Sequence, residues 1–318
     1  MALNMTDLAV EREAMVDPQF GTSSNVSTPS ASPRLRRAKY VVCRSCSPWA
    51  CVCSLGAEAA IWDPSSAVTD ELRSIVVEAR PEPLALDPGK TAVIVVDMQN
   101  DFGAEGGMFA RAGISIADIA AVVDPIAQVL DAARRTGMIV IYLTMQFEPD
   151  LSDAGARDAP NFLKHRPLGI GQVVAAPDGR ESRTLVRGTW GTEILPELAP
   201  EEGDLVVAKH RYSGFFETEL DAILRRRGID SLVFTGCTTS VCVDSTLRDA
   251  FYRDYRCLLL RDCTGEPIGS DLARSNHEAS LLVIETLFGW VSDSRALLRA
   301  LQPDDAAAAV AVPRAESA

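Results

Sequence analysis

Five short aliphatic runs, rich in β-branched residues, recur between residues 91 and 262, and the stretches separating them have helical periodicity. The runs are TAVIVVD (91–97), MIVIYLTM (138–145), DLVVAK (204–209), SLVFTG (231–236) and RCLLLRD (256–262). None alternates apolar with polar residues, so each suits a strand covered on both faces. Between and after them, helices are expected over Ile114–Arg135, Thr218–Arg227, Ser240–Arg253, Ala273–Leu287 and Ser292–Leu301. Gly137 and Gly228 supply stop signals for the first two. Strands that alternate with helices imply a parallel sheet with helices on both faces. The expected fold is therefore a three-layer α/β/α domain with five or six mostly parallel strands.

That domain is expected over residues 81–303. Residues 1–80 read as a variable, poorly ordered extension, because Ser, Thr, Pro and Asn crowd positions 22–33 and no period persists. A short helix over Val68–Glu78 is expected before the break made by Pro81, Pro83 and Pro88. Residues 304–318, rich in Ala, Asp and Pro, read as a flexible tail. Cys43, Cys46, Cys51 and Cys53 lie in the extension, but their C-x2-C-x4-C-x-C spacing ends too tightly for a usual zinc site. The acidic start is unlike a secretory leader, and no apolar run approaches the roughly 20 residues of a membrane span. A net charge of -13 disfavours nucleic acid and anionic lipid as partners. The expected setting is the reducing cytoplasm. The expected partners are a small-molecule substrate and further copies of the chain in a homo-oligomer.

In an open α/β sheet, ligands bind at the carboxyl ends of the strands. Asp97 ends the first run, Lys209 ends the third, and Cys242 lies in the turn after the fourth. Singly, each has an ordinary reading: a helix-capping Asp, a solvated Lys, a small buried Cys. Together they place an acid, an ammonium and a thiol on one edge. A helix N-terminus and a nearby lysine both favour a thiolate nucleophile. A carboxylate beside it can take the thiol proton and return it to a leaving nitrogen. The backbone N–H groups of GCTTSVC (236–242) can hold a developing oxyanion.

Three blocks, TAVIVVDMQNDF, VVAKHRYSGFF and GCTTSVCVDSTLRDAF, together resemble the isochorismatase-like cysteine hydrolases, and the resemblance runs from about Pro83 to Leu301. It implies Asp97 as general base, Lys209 as the bridge between Asp97 and the thiol, and Cys242 as nucleophile. It also implies a cis peptide at Cys237–Thr238, with the N–H groups of Thr238 and Cys242 as the oxyanion hole. RGTWG (187–191), KHRYSGFFETELDAILRRRGI (209–229) and IETLFGWVSD (284–293) narrow the resemblance to the ureidoacrylate amidohydrolases, with biuret and triuret hydrolases nearly as similar. The reaction so implied is cleavage of a C–N bond in a small urea-type or carboxamide substrate through a covalent Cys242 adduct, without a cofactor. A general carboxamide hydrolase and a catalytically idle binding scaffold are the alternatives.

Gln99, Asn100 and Phe102 follow the catalytic Asp and are candidate pocket residues. Trp190, Arg211, Tyr212 and Phe215 are candidates for shaping the substrate site. Glu266 stands where the ureidoacrylate enzymes are expected to carry Gln, and facing the pocket it would disfavour an anionic substrate end. Nicotinamidase relatives bind a metal through His residues after the second strand. Here that stretch reads TMQFEPDLSD (144–153), and His165, His210 and His277 form no ligand pair, so no catalytic metal is expected.

Overall fold

A computed structural model describes residues 74–302. The cysteine quartet of residues 43–53, the extension up to residue 73 and the tail from residue 303 lie outside the described residues. Strands β1 (Ile75–Val77) and β2 (Leu84–Leu86) form an antiparallel pair. The helix expected over Val68–Glu78 is thus a strand in its described part. Ile75, Val76 and Val77 are β-branched and fit an extended backbone, and Val77 is fully buried in the core. Arg80 exchanges two backbone hydrogen bonds with Val291, so residues 75–80 are tied to the domain that was expected to begin at 81.

The chain continues through β3 (Thr91–Val96), short helices α1 (Asn100–Gly103), α2 (Met108–Arg111) and α3 (Ala117–Ala120), and the longer α4 (Val123–Thr136). Ile126, Val129, Leu130 and Ala133 make the buried stripe of α4, which ends at left-handed Gly137. Next come β4 (Ile139–Met145), α5 (Pro160–His165), the antiparallel pair β5 (Val173–Ala175) and β6 (Glu181–Arg183), and β7 (Leu205–Lys209). The last part holds α6 (Leu220–Arg226), β8 (Ser231–Cys237), α7 (Asp244–Phe251), β9 (Arg256–Gly265), α8 (Asn276–Leu287), β10 (Trp290–Ser292) and α9 (Ser294–Ala300).

Six strands form one sheet in the order β10-β9-β8-β3-β4-β7, and every neighbouring pair is parallel. Every residue of β3 and β8 is buried, as unalternating runs require. One apolar cluster lies on each face. The strand β10 had no sequence signal, since three residues cannot display a period; it pairs with β9 at the sheet edge. After β3 the chain builds outward through β4 and β7, then returns to lay β8 on the other side of β3. The carboxyl ends of β3 and β8 therefore flank a topological switch point, the place where such sheets open a crevice.

Candidate active site

Asp97 follows β3 with a φ of 51°, in the left-handed region that Asp adopts more readily than most residues. Its N–H bonds the carbonyl of Leu143 at 2.9 Å, which roots it in the sheet. Lys209 ends β7 in register with Met145 of β4. Because β4 lies between β3 and β7, the lysine must reach across a strand end, and strands are spaced by about 5 Å. Its long side chain spans the gap, and Nζ sits 2.7 Å from Asp97 Oδ2. Nζ also donates to the Arg211 carbonyl at 3.3 Å and lies 3.7 Å from Met145 Sδ.

Neither charged side chain is exposed. Burial raises the Asp97 pKa, and the Lys209 ammonium offsets this only in part. Burial by itself would lower the Lys209 pKa, but Asp97 and the thiol outweigh it and the ammonium is held more firmly than usual. Asp97 Oδ1 is buried and accepts none of the side-chain hydrogen bonds that satisfy its neighbours. The Cys242 thiol is near enough for it and the carboxylate to shift each other's pKa.

The turn that carries Cys242 starts at Gly236, whose φ is 105°. A Cβ at this position would come within 2.1 Å of the Val96 carbonyl oxygen, so only glycine lets β8 lie this close to β3 there. The Cys237–Thr238 peptide is cis. The N–H groups of Val241 and Val243 both bond the Thr238 carbonyl, at 3.1 and 3.2 Å, in a widened π turn over Thr239–Val243 that runs into α7. Ser240 donates its N–H to Glu266 Oε2 at 2.6 Å. None of these contacts uses the N–H groups of Thr238 and Cys242. Cys242 is 5 % exposed. Burial, then the charge of Asp97, pushes its pKa well above that of an ordinary thiol, and Lys209 opposes both. Such a thiol rests protonated and needs a base in contact, which Asp97 can be.

The structure brings Asp97, Lys209, Thr238 and Cys242 together, and it gives several of the other expected residues a part in fastening or packing the surrounding loops. Gln99 is a backbone clamp: its amide donates to the carbonyls of Met145 (3.1 Å) and Thr192 (3.0 Å) and accepts from Met145 N–H (2.7 Å). Asn100 donates to the Trp190 carbonyl at 2.8 Å. Phe102 packs edge-on against Phe109, and Phe215 lies in the core beside Tyr255. For the two polar residues the reason is shared: Gln99 and Asn100 pin the first turn after β3 to β4 and to residues 190–193. Trp190 lines an open groove of about 680 Å³ with Asp124, Asp178, Arg180 and Glu193, and no member of the Asp–Lys–Cys trio is in its walls. Arg211 spends one nitrogen on the carbonyls of Asp153 (2.8 Å) and His210 (2.7 Å).

Tyr212 lies near the thiol. It is 38 % exposed, and its pKa is raised by burial and then by the charge of Cys242. Glu266 is 3 % exposed and turned onto backbone: Oε2 accepts from Ser240 and Oε1 from Ile268 N–H at 3.0 Å.

His165 has no metal-ligand spacing in the sequence and no other signal there. It is buried between Phe147 and Tyr212, with Nδ1 2.8 Å from the Asn161 carbonyl. Burial lowers its pKa, so it is neutral at pH 7. Its spacing carries no signal, because the contact with Tyr212 joins the end of α5 to the loop after β7. Among the described residues no three His, Cys, Asp or Glu side chains are grouped to hold a metal, and no helix is long and apolar enough to cross a membrane.

Residues 91–296 match the isochorismatase domain family. The chain is 42 % identical over 233 residues to the ureidoacrylate amidohydrolase RutB of Methylorubrum extorquens, covering 73 % of this chain and 91 % of that one. It is 40 % identical over 229 residues to the protein of the same name from Yersinia enterocolitica, covering 72 % and 96 %. Among solved structures, a cysteine hydrolase from Pseudomonas syringae pv. phaseolicola superposes with a TM-score of 0.57 at 31 % identity, over 70 % of this chain and 95 % of that one. An isochorismatase family protein from Desulfovibrio vulgaris gives 0.53 at 29 % identity, over 69 % and 98 %.

Proposed function

The chain belongs to the isochorismatase family and is a hydrolase of non-peptide C–N bonds, and from that premise we propose that it cleaves ureidoacrylate or a close ureido compound through Cys242. The observation that carries the substrate is the 42 % identity to a ureidoacrylate amidohydrolase over 91 % of that protein's length. Glu266, the residue that would disfavour an anionic substrate end, has both carboxylate oxygens engaged by backbone N–H groups, which disperses part of its charge.

In this mechanism Asp97 takes the Cys242 proton while Lys209 keeps the carboxylate anionic and in place. The thiolate attacks the ureido carbonyl, and the oxyanion accepts from the N–H groups of Thr238 and Cys242. The C–N bond breaks as Asp97 returns the proton to the leaving nitrogen. Asp97 then deprotonates a water that cleaves the thiocarbamate and frees Cys242. The carbonyl is flanked by two nitrogens and is a poor electrophile, so it gains most from donors already in place. We place the reaction in a reducing compartment; Cys237, Cys242, Cys257 and Cys263 are free thiols, in keeping with that setting.

The test is a comparison of kcat/KM for ureidoacrylate, biuret and a plain aryl amide, with mass analysis of Cys242 after rapid quenching. Ureidoacrylate should lead, with a carbamoyl group trapped on Cys242. Turnover of the aryl amide alone would leave the enzyme class standing and remove the ureido substrate.

A further inference from the structure

Glu266 is a nearly solvent-free carboxylate that joins no ion pair among the described residues. A charge so placed is tolerated only when strong donors hold it. Two do, and they come from different segments. Ser240 N–H, 2.6 Å from Oε2, belongs to the π turn that carries Cys242; Ile268 N–H, 3.0 Å from Oε1, opens the segment leading to α8.

The sheet brings Glu266 to this place. Phe234 of β8 pairs with Leu259 of β9, but Gly236 pairs with Thr264 and Cys237 with Gly265. The extra residues in β9 form a bulge, which re-aims the strand end and sets Glu266 beside the turn. The next residue of the turn is fixed as well: Thr239 Oγ1 lies 2.9 Å from His277 Nδ1 and 3.3 Å from the Gly265 carbonyl.

We propose that Glu266 is a positioning residue for the oxyanion-binding turn. By accepting from Ser240 it removes that N–H from the set facing the substrate. By bridging to Ile268 it fixes the turn so that the N–H groups of Thr238 and Cys242 converge on one oxygen. A glutamine at this position accepts only through its single oxygen, and its NH2 is set against the second N–H. The proposal rests on the mechanism given above, so its test reads the thiol and the oxyanion separately and needs no natural substrate.

Acetaldehyde adds to a thiol to form a hemithioacetal: an S–C bond forms and the carbonyl oxygen becomes an alkoxide that is then protonated. That oxygen occupies the oxyanion site. Alkylation by iodoacetamide replaces iodide at carbon and develops no oxyanion. In Glu266→Gln, hemithioacetal affinity should fall about ten-fold, a part of what losing a whole donor costs, while the alkylation rate of Cys242 stays within about two-fold of the wild type. Unchanged hemithioacetal affinity, or equal losses in both, overturns the proposal.

Amide hydrogen exchange on the unmodified protein tests it without any variant. Ser240 N–H should exchange at least about a hundred-fold more slowly than an open loop amide. Exchange at the open-loop rate means the carboxylate does not hold the turn, and the proposal falls. A Cys242 that neither alkylates nor binds aldehyde would sink the proposed mechanism, while the exchange result would still decide the role of Glu266.

Discussion

Lys209 Nζ lies 2.7 Å from Asp97 Oδ2, and both side chains are wholly withdrawn from solvent. A buried pair of this kind adds little net stability compared with an apolar pair, but loss of one partner strands the other charge. Asp97→Asn and Lys209→Met should each abolish turnover and each cost roughly 3–5 kcal/mol in urea unfolding. The double variant should recover much of that stability and none of the activity. Purely additive losses in the cycle would show that the two charges are not coupled.

The pH profile should carry the same signature. Asp97 must be ionised to accept the thiol proton, and burial raises its pKa. The acid limb of kcat/KM should therefore lie above the ordinary Asp range, near pH 4, with activity lost as pH falls through the raised value. Lys209 is also raised, so its ammonium persists beyond the ordinary lysine range and should not set an early alkaline limb. An acid limb at or below pH 4 would contradict the raised carboxylate.

Cys242 should be the reactive thiol. Substitution to Ala or Ser should lower kcat by several orders of magnitude with the fold intact. Iodoacetamide should reach Cys242 before Cys237, which is fully buried, donates to the Asp97 carbonyl at 3.2 Å and has a pKa raised well above the ordinary value by burial. Labelling of Cys237 first, with an active Cys242→Ala enzyme, would reassign the nucleophile.

Truncation should have a sharp threshold. Removing residues 1–73 leaves every described contact in place. Removing residues 1–80 deletes β1, exposes Leu84 and Leu86 of β2 and breaks the two backbone bonds between Arg80 and Val291. The first variant should keep its activity. The second should unfold several degrees lower, as a loss of a few kcal/mol dictates for a domain of this size. Equal melting temperatures would show that β1 contributes nothing.

The amino-acid sequence by itself determined the five long strands β3, β4, β7, β8 and β9, the alternation that makes the sheet parallel, and the edge on which Asp97, Lys209 and Cys242 fall. β3 and β8, covered on both faces, have to be mostly apolar, and strand ends are visible where polar residues return. β7, expected to be covered likewise, is an edge strand with Val206 exposed. The short strands β1 and β10 were not legible, because three residues carry no period and pairing alone makes them strands.

Nor could the sequence show what Gln99, Asn100, Phe102 and Phe215 do. Residues beside a candidate catalytic Asp or Lys read as pocket residues, yet Gln99 and Asn100 fasten the loop after Asp97, Phe102 packs on Phe109, and Phe215, after β7, packs beside Tyr255. The direction of Glu266 was decided by the bulge in β9: register determines which way a side chain points, and a few extra residues change it without a mark in the residue pattern. The pairing of Asp97 with Lys209 across the end of β4 likewise exists only once the strand order is set, because long-range contact is a property of the packed sheet rather than of spacing along the chain.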